Sequence, residues 1–281
     1  MLLTQRLSKL SIVALLSASS LFGASDSEVR NYLKNAIGAN PAISNIEVEI
    51  NSKKRVPNSP WSAYFISIDG EAKQNGVVRR FSQGSVYFAN DDLITPELYN
   101  IKTGERYNDS LTPDFSPNFY KKHNLISGNE KSTHKIAIFS DPLCPFCRKY
   151  VPEAINYMKK YPKTFALYYY NLPLEGLHPA SVTLVKAEIA AAMAGVSDAA
   201  LKLYRVEVDP KESDEQKILD AFNRAVGSKV TLADIRKPQT LERYDSDRIV
   251  AKNMVISGTP TIYVDGIKDN SKNRYKEIKV K

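Results

Sequence analysis

The sequence predicts two domains of different class: an α+β domain over residues 26–110 and an α/β domain over 134–281, joined by a linker over 111–133. Three patterns predict it. In the first part, one stretch of helical periodicity is followed by several stretches that alternate apolar and polar residues. Further on, an apolar run leads through two closely spaced cysteines into an amphipathic helical pattern. A helical insertion at about 177–254 then separates this strand–helix unit from a last short strand at 261–264.

Residues 1–25 open with Arg6 and Lys9, continue through the apolar run Leu10-Ser11-Ile12-Val13-Ala14-Leu15-Leu16, and end in small residues. That order is expected of a secretory signal peptide, and the apolar core is shorter than the roughly 18 residues of a spanning helix. Gly23-Ala24-Ser25 supplies small residues for cleavage, which is expected between Ser20 and Asp26. An uncleaved anchor is the alternative. No later segment is apolar enough to span.

Asp26 to Gly38 reads as a helix, with Val29, Tyr32, Leu33, Ala36 and Ile37 at helical spacing, Asp26 or Ser27 as cap and Gly38 as stop. Strand signals follow. Ile46, Val48 and Ile50 alternate with polar residues; then come Trp61 to Ile68, a turn at Asp69-Gly70, Val77 to Phe81, Ser85 to Phe88 and a last pair near Leu98 to Tyr107. Leu111 to Thr133, with Pro113, Pro117, Gly128 and many polar residues, reads as linker with a short helical possibility at 117–125.

Lys135-Ile136-Ala137-Ile138-Phe139 reads as a buried strand. It hands over through Ser140-Asp141-Pro142-Leu143-Cys144-Pro145-Phe146-Cys147-Arg148 to a helix whose Cys147, Val151, Ile155 and Met158 share one face, with Pro152 inside it. Thr164 to Asn171 suits a central strand. Helices are expected over Ser181–Ala194, Ala199 to about Tyr204, Ser213–Val226 with a capping box from Ser213 and Gln216, and Leu241–Met254. Thr261–Val264 is a strand with a turn at Asp265-Gly266, and 276–281 reads equally as strand or helix.

The chain has only two cysteines, Cys144 and Cys147, and they form a Cys-x-x-Cys at a strand-to-helix junction. There Cys144 stands at a helix N-terminus, where free N–H groups and the helix dipole favour a thiolate, and Cys147 sits one turn on. This suits dithiol exchange, with Cys144 the nucleophile, Cys147 the resolving thiol, and a redox-active disulfide between them. A structural zinc site would need further ligands, and the three histidines, His123, His134 and His178, are scattered. A purely structural disulfide would close so short a loop that its gain is slight. No metal or cofactor is expected. The formal charge of +8 includes the leader's Arg6 and Lys9, and no basic run exceeds Lys53-Lys54-Arg55, so nucleic-acid binding has no support.

Phe139 to Cys147 resembles the active-site signature of the thioredoxin-fold disulfide isomerases of the DsbC and DsbG type. Gly258-Thr259-Pro260-Thr261-Ile262-Tyr263-Val264-Asp265-Gly266 resembles their downstream Thr-Pro element, whose proline is cis and packs on the active-site disulfide. The resemblance implies a cystatin-like dimerisation domain at 26–110 and a thioredoxin-like catalytic domain at 134–281. It also implies a periplasmic homodimer that isomerises wrong disulfides in exported clients, and a membrane redox partner. Pro145 and Phe146 would tune Cys144, Thr259 and Pro260 would hold the client strand, and Asp141 would cap the helix or shift the thiol pKa. Thioredoxin and DsbA carry a buried acid at the position of Ile138, so proton transfer here needs another route. Phe146 brings no charge between the cysteines, which implies a potential more reducing than that of DsbA. The alternatives are a DsbA-like dithiol oxidase and a holdase chaperone with a secondary redox role.

Overall fold

A computed structural model describes residues 23–281, so the expected leader over 1–25 and its cleavage between Ser20 and Asp26 lie almost wholly outside the described residues. Helix α1 (Asp26–Gly38) packs the buried Val29 and Leu33 on a four-stranded antiparallel sheet, β1 (Ile43–Arg55), β2 (Ser62–Gln74), β3 (Val77–Ala89) and β4 (Ile94–Thr95), in that order. The cap of α1 is Ser25, one residue earlier than expected. Its side chain accepts the Glu28 N–H while the Glu28 carboxylate accepts the Ser25 N–H, so each satisfies a donor the first turn leaves free.

The turn expected at Asp69-Gly70 does not form. Strand β2 runs straight through it, and the hairpin closes at Asn75-Gly76, where Gln74 pairs with Val77 and both turn residues have positive φ. Gly70 is there for packing: a Cβ would lie 2.7 Å from the Ile46 side chain and 2.8 Å from that of Phe81. The two stretches expected at 77–81 and 85–88 are one strand, β3, and the pair expected near Leu98 to Tyr107 reduces to a single bridge, Tyr99 to Arg106. A one-turn helix, α2 (Tyr107–Ser110), follows.

Much of the stretch expected as linker is part of the second domain. Two short 3-10 turns lead into β5 (Leu125–Ser127), which pairs antiparallel with β7 (Phe165–Asn171). Phe115, 3 % exposed, donates its N–H to Gly266 O and packs its ring, mostly edge-on, among Phe119, Tyr120, Phe139, Tyr170 and Tyr263. An apolar ring buried on this sheet outweighs the local proline signal that marks a loop.

The second sheet has the order β5-β7-β6-β8-β9, with β6 (His134–Ser140) parallel to β7 and antiparallel to β8 (Thr261–Val264). Helix α3 (Pro145–Lys159) connects β6 to β7 and buries Cys147, Val151, Ala154, Ile155 and Met158 against one face, with Pro152 on the way. The insertion comprises α4 (Ala180–Met193), α5 (Ala199–Lys202), α6 (Glu215–Val226), α7 (Leu232–Ile235) and α8 (Pro238–Asn253). Helix α6 starts from Asp214, whose carboxylate accepts the Gln216 and Lys217 N–H groups, and not from a Ser213–Gln216 box. Asp265-Gly266 turns β8 into β9 (Ile267–Lys268), and after α9 (Arg274–Glu277) the chain ends in neither strand nor long helix.

The two domains meet at α8. Lys252 pairs with Asp69 at 3.0 Å and Asn253 accepts from Ser67, while a Cβ on Gly84 of β3 would sit 2.3 Å from Lys252 O. Only a glycine lets the two backbones approach so closely. No helix among the described residues is long and apolar enough to cross a membrane.

Candidate active site

Strand β6 ends at Ser140, and Asp141 to Leu143 turn the chain into α3, so Cys144 becomes the N-cap and Cys147 falls on the first buried turn. Cys144 is 5 % exposed and Cys147 fully buried; both are free thiols. Phe146, between them, is 74 % exposed, and Pro145 occupies N1, where its missing N–H leaves no bond unmade. The Thr259–Pro260 bond is cis, and the Cys144 thiol donates to Thr259 O at 3.6 Å. The structure therefore brings five of the sequence-predicted residues, Cys144, Pro145, Phe146, Cys147 and Thr259, with Pro260 beside them, to one place at the end of the sheet.

Of the two roles expected of Asp141, the helix cap is not the one the structure shows. Asp141 neither caps α3, since Cys144 is the cap and makes no side-chain cap bond, nor faces open solvent, being fully buried. One oxygen accepts from Leu143 N and Ser181 Oγ, both at 2.7 Å; the other accepts from Leu174 N at 2.7 Å and pairs with His178 Nδ1 at 3.0 Å. A carboxylate with four partners is strongly held. Asp141 thus pins the active-site turn to the start of the insertion. His178 is one of the pins.

Burial holds the Cys147 thiol well above the ordinary thiol range. The hydroxyls of Ser140 and Thr259 and the Asp141 N–H work against that, and the neighbouring Cys144 adds to it. Ser140 Oγ lies 2.5 Å from Tyr204 OH, which lies 2.7 Å from Tyr169 OH; burial raises both phenols well above their usual pKa. Tyr169 is on β7 and Tyr204 in a 3-10 turn after α5, so no sequence spacing announces that they meet. Ile138 is buried in apolar surroundings. Two carboxyls, Glu188 on α4 and Asp247 on α8, are buried farther off and share Asn171 as partner; burial raises each to about 7. Among the described residues no group of three or more His, Cys, Asp or Glu is placed to hold a metal ion.

A thioredoxin family model matches residues 121–280, more than half of the chain. No curated protein matches. Among solved structures, the chain is similar to a thioredoxin-like oxidoreductase from Silicibacter pomeroyi at 21 % identity, covering 57 % of this chain and 96 % of that one, with a TM-score of 0.46. It is also similar to the catalytic domain of Proteus mirabilis ScsC, at 20 % identity over 57 % and 91 % of the two chains and a TM-score of 0.43. The oxidised BdbD of Bacillus subtilis is 17 % identical over 59 % and 92 %, with a TM-score of 0.47.

Proposed function

The chain belongs to the thioredoxin family, and from that premise we propose that it is a thiol-disulfide oxidoreductase that reduces and reshuffles wrong disulfides in exported proteins. The single observation that carries the reading is the asymmetry of the cysteine pair. Cys144 is at a helix N-terminus with some exposure and beside an exposed Phe146, whereas Cys147 is fully buried one turn below. Of the two only Cys144 keeps any exposure, 5 %, and in this reading its sulfur is the one a client disulfide meets. Its thiolate attacks the client, the client's other sulfur leaves with a proton, and Cys147 then attacks Cys144 to form the Cys144–Cys147 disulfide and release the client thiol. The Thr259 backbone would meanwhile pair with an extended client segment, holding it without regard to side-chain sequence.

Isomerisation is preferred over oxidation because Phe146 puts no charge between the cysteines and because a separate β-sheet domain, docked on α8, precedes the thioredoxin-like one. In this reading residues 26–110 form the interface of a periplasmic homodimer, and a membrane redox partner keeps the pair reduced. Oxidation by the same two cysteines differs only in potential.

The test uses the full chain. Cys144→Ala abolishes reduction of a scrambled multi-disulfide client, while Cys147→Ala accumulates mixed disulfides with it, seen on non-reducing gels. Mixed disulfides gathering on Cys147 in the Cys144→Ala chain overturn the assignment. Light scattering of the same preparation reads the dimer.

A further inference from the structure

Cys147 must become a nucleophile while fully buried, where a bare thiolate is costly. We propose that Tyr204 and Tyr169 are positioning residues for this resolving step, forming with Ser140 a chain of three hydroxyl donors that ends on the Cys147 sulfur. The inference rests on the dithiol reading above. Tyr204 OH lies within hydrogen-bond reach of both Tyr169 OH and Ser140 Oγ; with the Tyr169 proton on Tyr204 and the Tyr204 proton on Ser140 Oγ, the Ser140 proton is left for Cys147. Hydroxyls linked head to tail polarise one another, so the last donor is stronger than a lone serine.

The groups facing Cys147 come from every element around it. Ser140 is on β6, the Asp141 N–H in the turn, Thr259 on the loop before β8, and Cys144 at the head of its own helix. Glu188 on α4 acts on the far end of the chain, where its charge opposes ionisation of Tyr169. In the resolving step the Cys147–Cys144 bond forms, the bond from Cys144 to the client sulfur breaks, and the Cys147 proton ends on the departing client sulfur. The hydroxyl chain keeps its own protons and stabilises the negative sulfur in passing.

The test is stopped-flow reaction of the reduced full chain with 5,5′-dithiobis(2-nitrobenzoate). Attack by Cys144 releases one thionitrobenzoate in a first phase, and attack by Cys147 releases the second. In Tyr204→Phe the second phase slows about tenfold at pH 7 and its pH midpoint rises by about one unit, since one unit changes the thiolate fraction tenfold. The first phase stays as in the wild type. Ser140→Ala has a similar effect, and Tyr169→Phe a smaller one in the same direction. A second phase and pH profile identical to wild type in Tyr204→Phe overturn the inference alone, as does a change that slows both phases equally, which marks a merely structural tyrosine. Release of only one thionitrobenzoate by the wild type overturns the dithiol reading and the inference together.

Discussion

Replacing Glu188 by Gln should make the protein more stable at pH 8 and leave it nearly unchanged at pH 5. Glu188 is 5 % exposed, and its Oε2 accepts from Asn171 Nδ2 at 3.1 Å. Burial raises its pKa from 4.5 to about 7; the Asn171 bond and Arg243 pull it down, and Asp247 adds to the rise. A carboxyl whose folded pKa lies above its unfolded value binds its proton more tightly when folded. Its stabilising contribution is therefore complete below about pH 4.5, falls as pH rises, and is gone above about 7. A rise of about 2.5 units corresponds to roughly 3 kcal/mol at ~1.36 kcal/mol per unit. Gln retains the acceptor oxygen for Asn171 and cannot ionise. The Gln variant should thus gain up to roughly 3 kcal/mol over wild type at pH 8, or on the order of 6–12 °C in Tm for a chain of this size. Thermal melts followed by circular dichroism from pH 5 to 8.5 measure the difference, and titrating groups not coupled to Glu188 cancel in the comparison. Parallel wild-type and variant profiles, or a variant less stable at pH 8, would refute the reasoning.

Thr259→Val keeps the side-chain shape and removes the hydroxyl that lowers the Cys147 pKa. It should shift the reduction potential by tens of millivolts, where about 30 mV is about 1.4 kcal/mol for a two-electron couple, with little change in melting temperature. Equilibration against glutathione reads the shift, and an unchanged potential argues against a role for the hydroxyl. Gly84→Ala places a Cβ 2.3 Å from Lys252 O and should weaken the docking of the first sheet on α8, at a cost of about 1–3 kcal/mol. Faster limited proteolysis between the domains, with the two-phase thiol reaction intact, is the expected result; unchanged proteolysis removes the argument for a fixed contact there.

The sequence by itself determined the strand–cysteine–helix unit. Lys135 to Phe139 and the spacing of Cys147, Val151, Ile155 and Met158 are local periodicities, and local periodicity decides which face of an element is buried. It also determined α1 and β8, each set by residues within a few positions of one another. The turn in the first sheet was misplaced because a glycine in sequence does not say whether it turns the chain or makes room. At Gly70 it admits Ile46 and Phe81, and at Gly84 it admits the backbone of α8, both facts of long-range contact. The same holds for Phe115, whose place in the core of the second domain depends on aromatic rings from four separate stretches. Within the site, both cysteines and Thr259-Pro260 are legible as motifs, but the partners of Asp141 and the chain from Ser140 to Tyr204 and Tyr169 are not. Apart from the Leu143 bond to Asp141, those bonds join residues 33 to 64 positions apart, where no residue's chemistry constrains the other until the insertion folds back over the end of β6. Tertiary structure alone decided what surrounds the buried sulfur.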